Sequence, residues 1–164
     1  MIPLWSDRAR GTLDASGAVA ILPLGATEQH GPHLPFNVDT TLTEAVLART
    51  ETTANALQLP TLSITKSDEH IAHAGTLTLG AETLLAVLRD ITASVARAGV
   101  KRLVYFNGHG GNTALLEVAV RAARIDHGLI AAHASWFAFA DLSGFDPSAM
   151  AHDLHAGDTE TSAM

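Results

Sequence analysis

Two carboxylates and two imidazoles fall inside residues 25–39: Glu28, His30, His33 and Asp39. Glu28 and His30 stand two positions apart, so an extended backbone puts both side chains on one side. Asp39 lies nine positions further on and must fold back to join them. A carboxylate can bridge two cations, with Glu28 and His30 each serving one. A third imidazole, His109, sits among Gly108, Gly110 and Gly111, where nothing crowds its ring. Two metals about 3.5–4 Å apart polarise a carbonyl and hold a hydroxide between them. The pKa of such a water falls towards neutrality, giving a nucleophile without Ser or Cys.

Composition narrows the alternatives. The chain has 164 residues, 47% of them hydrophobic, enough for one domain around one core. Its formal charge of -7 and lack of a basic run argue against nucleic acid and anionic membrane surfaces. There is no cysteine, which excludes disulfides, thiolate metal sites and a Cys nucleophile. Nine histidines without cysteine make nitrogen-and-oxygen metal sites the first chemistry to test. The N-terminus lacks a basic segment followed by a long apolar one, and no run reaches the roughly 18 apolar residues of a membrane span. A cytoplasmic location is the simplest expectation.

The elements that must position these groups follow from periodicity. Residues 1–17 read as a surface arm or short helix, and residues 18–24 as a buried strand. Glycines and prolines then forbid a helix through the Glu28–His30 segment. Asp39 or Thr40 caps a helix running to about Ala54, with Leu42, Ala45 and Val46 at helical spacing. Residues 57–65 read as a strand, which Pro60 marks as an edge or a strand start. A loop with His70 and His73 follows. Residues 80–98 form the clearest helix, with Leu84, Leu85, Val87, Leu88, Ile91 and Val95 in one stripe. A strand over 100–106, a loop over 107–112, a helix over 113–125 and a short strand over 128–134 come next. Residues 136–154, with Phe137, Phe139, Phe145 and Met150, show no period and suggest a lid or partner surface. Residues 155–164 read as the start of a helix, and a helix ending there suggests a truncated chain. Alternating strands and helices predict a three-layer α/β/α fold with a mostly parallel sheet. In that layout the His-containing loops share one end of the sheet, where open α/β sheets bind ligands.

Each residue also has a plainer reading. Glu28 could be a solvated loop charge, and Asp39 taken alone is a good helix N-cap. His30, His33, His70 and His73 could each be ordinary surface histidines, and His127, His133 and His152 have no motif around them. The Gly108–Gly111 loop lacks the Gly-x-Ser-x-Gly elbow that an esterase needs. No phosphate-binding Gly-x-x-x-x-Gly-Lys-Ser/Thr loop is present.

Four ordered motifs carry a resemblance. Gly25-Ala26-Thr27-Glu28-Gln29-His30-Gly31-Pro32-His33-Leu34-Pro35 with Asp39-Thr40 resembles the first motif of the creatininase family. Glu69-His70 with Gly75-Thr76-Leu77-Thr78-Leu79 is similar to the second, and Asn107-Gly108-His109-Gly110-Gly111-Asn112 to the third. His155-Ala156-Gly157-Asp158-Thr159-Glu160-Thr161-Ser162 is similar to the fourth. The resemblance implies a single creatininase-like α/β/α domain over residues 1–164, lacking the family's C-terminal portion. It implies a hydrolase using two divalent metal ions, Zn or Mn, with Fe in some relatives, in a homo-oligomer that is a hexamer in relatives. By position, Glu28 and His109 would bind one metal, His30 the other, and Asp39 both. Creatinine-hydrolysing members carry a Glu where this chain has Gly111, which takes a ligand from the second metal, and Glu160 is the candidate replacement. His155 matches a histidine implicated in proton transfer to the leaving nitrogen. The expected activity is hydrolysis of a non-standard C–N bond in a small-molecule amide, cyclic amide or formamide, or of a terminal peptide bond in a peptide-derived cofactor. The alternative is a catalytically inactive metal-binding or interaction protein of the same fold, motivated by Gly111 and the end at Met164.

Overall fold

The computed structural model describes Met1 to Met164 except Thr53, Pro147, Ala149, Met150 and Ala151. Four strands form one parallel sheet: β1 (Val19–Leu24), β2 (Ala56–Gln58), β3 (Arg102–Asn107) and β4 (Ile130–Ser135), in the order β2-β1-β3-β4. β1 and β3 are central, and their side chains are largely buried, as a parallel sheet covered on both faces requires. Helices α1 (Val38–Arg49), α2 (Ala81–Arg97) and α3 (Thr113–His127) make the connections, and a short α4 (Asp158–Ala163) ends the chain.

The chain leaves β1 in one direction to make β2, then crosses back to make β3 and β4. Right-handed crossovers therefore put α1 on one face of the sheet and α2 and α3 on the other. Side-chain alternation builds a core on each side. Ala20, Leu22, Leu24, Leu103 and Tyr105 pack with Leu84, Leu88, Val95, Leu116, Ala119 and Ala123. On the opposite side Val38, Leu42 and Leu47 pack with Ala56, Phe106 and Trp136. This is the expected three-layer α/β/α arrangement. The direction reverses between β1 and β3, and their carboxyl ends are in register, Leu24 beside Asn107. A crevice opens there.

Several boundaries differ from the sequence expectation. The strand expected over 57–65 is three residues long: the Leu59 N–H still donates to the Ile21 carbonyl, but the next residue of β1 facing it, Pro23, has no N–H to return a bond to Leu59. Single bridges resume the alignment at Leu62 beside Leu24. α1 stops at Arg49 rather than near Ala54; Thr50 is already extended, and Glu51 and Thr52 lie outside the helix. Asn37, not Asp39 or Thr40, occupies the N-cap position, and Val46 faces solvent while Val38, Leu42 and Leu47 are buried. The N-terminal arm is not wholly superficial, since Ile2 is buried in the second core and Leu4 bridges to Gln58. α3 runs two residues past Ile125 and ends at Gly128, whose φ of 63° is the left-handed cap that glycine supplies. In the region expected as a lid, Trp136–Phe139 forms a 3-10 turn and Met150 lies outside the described residues. Among the described residues no helix is long and apolar enough to cross a membrane.

Candidate metal centre

Four loops leave the carboxyl end of the sheet, and each delivers polar groups to the crevice. After β1, Glu28 N–H donates to the Phe36 carbonyl (3.0 Å), closing a loop that turns Glu28 and His30 inward. Thr65 Oγ1 donates to the Gly25 carbonyl (2.6 Å) and anchors that loop to its neighbour. Asp39 sits in the first turn of α1 and points into the crevice rather than capping the helix. After β3, the Asn107 carboxamide spans the turn that presents His109. Its Nδ2 donates to the His109 carbonyl (2.8 Å) and its Oδ1 accepts from the His109 N–H (3.2 Å). Gly108 is required at this turn, since a Cβ there would lie 2.7 Å from the Asp39 carbonyl oxygen and closer still to Thr43 Oγ1.

These residues meet as the spacing suggested. Glu28 and His30 are fully buried, and Asp39, His109 and Glu160 nearly so. Asp39 faces both ways: Oδ1 lies 3.4 Å from His30 Nε2 and Oδ2 lies 3.3 Å from His109 Nδ1. Glu28 Oε1 is 3.3 Å from His109 Nδ1, and Glu160 Oε1 is 3.8 Å from His30 Nε2. One half therefore gathers Glu28, Asp39 and His109, and the other His30, Asp39 and Glu160. The outer nitrogens are tied to backbone carbonyls. His109 Nε2–H donates to Lys66 (2.8 Å) and His30 Nδ1–H to Glu28 (3.1 Å). That leaves His109 Nδ1 and His30 Nε2 aimed inward.

The inner atoms lack partners. Glu28 Oε1 and Oε2, His30 Nε2 and Asp39 Oδ2 are all buried without a hydrogen bond. Buried polar atoms are rarely left so, and each orphan costs about 1–3 kcal/mol. A set of carboxylate oxygens and imidazole nitrogens about 3.3–3.8 Å apart suits divalent cations of the Zn or Mn kind. In the metal-free chain protons take up the same role. Burial alone would lower the pKa of His109 and of His30, but the facing carboxylates outweigh it and hold both at about 10. Burial would raise Glu28 and Asp39, yet the imidazoles beside them keep both low.

The fourth segment closes the site. Glu160 Oε2 accepts the Ala156 N–H (2.6 Å), which holds Ala156 at a φ of 54°. His155 Nε2–H donates to the Gln29 carbonyl (2.5 Å), and its ring lies 4.3 Å from His30 and 4.2 Å from His70. His155 Nδ1 is 3.6 Å from Glu28 Oε1. A cavity of about 510 Å³ opens over the cluster, walled on its outer side by Phe137, Ala140, Leu142 and Leu154. Part of the expected lid thus lines the site.

Other histidines behave differently. His70 belongs to the site, 3.7 Å from Glu28 Oε1 and lining the cavity. His73 is exposed and takes no part in the cluster, and His33 instead bonds Thr161 Oγ1 (3.0 Å) at the surface. None of His127, His133 and His152 joins a group of candidate ligands among the described residues. Sequence reasoning gave no role to Lys66 or Glu69. The Lys66 ammonium pairs with Asp68 and with Glu69 Oε2 (2.9 Å), and Glu69 Oε1 lies 3.5 Å from His109 Nε2. The one available signal was the adjacency of Glu69 and His70 in a loop following a strand.

Relatives share this architecture. The chain is 38% identical over 153 residues to a mycofactocin precursor peptide peptidase of Mycobacterium ulcerans, covering 88% of this chain and 56% of that protein. It therefore spans little more than half the length of the curated relatives it matches. A mutant creatininase superposes with a TM-score of 0.79 at 28% identity, over 99% of this chain and 71% of that one. A structure described as creatininase Mn gives 0.73 at 27% identity, with the same coverage. Residues 5–164 match the creatininase family, described as creatinine amidohydrolase. With the sheet order, the crevice and this match together, the chain belongs to the creatininase family.

Proposed function

We propose that this chain is the metal-binding part of an amide hydrolase that uses two divalent cations, Zn or Mn. One cation would be held by Glu28, Asp39 and His109, the other by His30, Asp39 and Glu160. The observation that carries this reading is the set of four buried orphan atoms on Glu28, His30 and Asp39, all turned to one crevice. Such a cation pair supplies Lewis acidity towards a carbonyl oxygen and acidifies an attacking water. The rest falls to this chain's side chains. Asp39 spans the two halves, and the backbone carbonyls of Lys66 and Glu28 fix which nitrogen His109 and His30 turn inward. His155, held at Nε2 by Gln29, keeps Nδ1 free towards the cluster. It can take a proton there and return it to the departing nitrogen.

The substrate is an amide with an apolar flank. The cavity falls within the roughly 300–1,000 Å³ of small-molecule sites, and Phe137, Ala140, Leu142 and Leu154 face it. A cyclic amide, a formamide or a terminal peptide bond fits this description, and a peptide bond agrees with the name of the Mycobacterium ulcerans relative. Metal analysis of the purified protein, coupled to hydrolysis assays on creatinine, formamides and short peptides, tests the proposal. Two cations per chain and turnover of an amide support it. One cation and no turnover on any amide would favour an inactive metal-binding protein.

A further inference from the structure

The four imidazoles at the crevice do not present the same face to it. Three are anchored by backbone carbonyls, which can only accept: Glu28 for His30, Lys66 for His109 and Gln29 for His155. In each neutral ring the anchored nitrogen carries the hydrogen, so the inward nitrogen offers a lone pair. His70 is anchored the other way. Its Nδ1 lies 3.1 Å from Gln29 Nε2, an amide nitrogen that can only donate. The orientation of that amide is itself determined, because Gln29 Oε1 accepts the Gly31 N–H (2.9 Å). Turning the amide over would set two donors against each other at Gly31. His70 Nδ1 is therefore an acceptor, and the ring hydrogen sits on Nε2, the nitrogen that faces Glu28 and the cavity.

Resting on the function proposed above, we infer that His70 is a neutral N–H donor that binds an acceptor oxygen of the amide substrate, and that Gln29 is the residue positioning it. Spacing alone would suggest something else, since Glu28, His70 and His155 offer ligand atoms close enough to hold a further cation. That use needs a lone pair on His70 Nε2, and the Gly31–Gln29–His70 chain places a hydrogen there. At 3.7 Å the Nε2–H is too far from Glu28 Oε1 to be satisfied by it, so it remains available to a ligand in the cavity. Its neighbours agree with this division of labour. The stacked His155 ring, 4.2 Å away, turns its lone pair towards the cluster while His70 turns a hydrogen. The site thus offers an acceptor for a proton beside a donor for an oxygen.

Nitrogen-15 NMR of histidine-labelled protein tests the tautomer directly, first metal-free and then zinc-loaded. The expected result is a protonated Nε2 and an unprotonated Nδ1 for His70 in both states, with Gln29→Leu relaxing that preference. Acetate, a carboxylate probe, is then titrated into the zinc-loaded protein. It should shift the His70 Nε2–H resonance, and His70→Phe should weaken acetate binding about three- to tenfold at unchanged zinc content, the scale of one hydrogen bond. His70→Gln, which keeps an N–H, should recover part of the loss. Loss of one zinc per chain in His70→Phe, or a hydrogen on His70 Nδ1, would overturn the inference by making His70 a ligand. Unchanged acetate affinity in His70→Phe would overturn it as well. A wild-type protein that binds no zinc refutes the two-metal proposal instead, and the two failures are separable because the tautomer is read without metal.

Discussion

The carboxylate of Glu69 occupies the space that any side chain on residue 111 would need. A Cβ built on Gly111 would overlap Glu69 Oε1 and would also lie 2.5 Å from His109 Nε2 and 2.6 Å from the Lys66 carbonyl oxygen. The glycine at this position is therefore coupled to an acidic residue on the neighbouring loop, and Lys66 holds that residue in place. Gly111→Glu alone should destabilise the fold by about 1–3 kcal/mol, as overpacked sites do. Adding Glu69→Gly should restore only part of the loss, because the contacts with His109 Nε2 and the Lys66 carbonyl oxygen remain. Thermal denaturation of the single and double variants checks this, and equal melting temperatures for Gly111→Glu and wild type would contradict it.

Asp39→Asn should cost both cations, because a neutral amide is a poor bridge between two charges. Outer partners of metal ligands typically contribute 10–100-fold in affinity, so an inner ligand should contribute more than about 100-fold. Zinc competition titration measures this, and wild-type affinity in the variant would remove Asp39 from the bridge.

Gly108→Ala should loosen the centre without replacing any ligand side chain. The added methyl meets Thr43 Oγ1 and the Asp39 carbonyl oxygen, and the Thr43 hydroxyl already donates to that carbonyl (2.6 Å). The expected cost is about 1–3 kcal/mol of stability, with zinc affinity falling in parallel. Full zinc affinity at reduced stability would show that the turn and α1 are not coupled.

How much was legible in the sequence follows from where each residue sits. Glu28, His30 and His109 lie within a few positions of the ends of β1 and β3, so a parallel sheet sufficed to bring them together. Glu160 and His155 were reachable only through the resemblance, because α4 docks from the far end of the chain with no periodic signal. Asp39 was read as a cap or a ligand, and its place in the first turn of α1 leaves its side chain free for the crevice. The roles of Glu69, Lys66 and Gln29 were not legible. They depend on side-chain contacts between loops that no spacing rule ties together, and Pro60 had already blurred the strand leading to that loop.

The metal-free chain should lose stability as pH rises. His30 and His109 are held at about 10 against an ordinary 6.5, so their stabilising contribution is complete below about 6.5 and disappears as pH climbs through 10. Glu28 and Asp39 are lowered from 4.5 and 3.8, so their contribution is present above those values and is lost as pH falls. In chelator the melting temperature should thus fall between pH 6.5 and 10. With zinc present the trend should reverse over the lower part of that range, because ligation requires the protons to leave. Parallel trends with and without zinc would contradict it.

The central claim is tested most directly by anomalous diffraction from zinc-loaded crystals. Two peaks are expected, one among Glu28, Asp39 and His109 and one among His30, Asp39 and Glu160, with a carboxylate oxygen of Asp39 turned to each. A map with no peak between His30 and His109 would contradict the account.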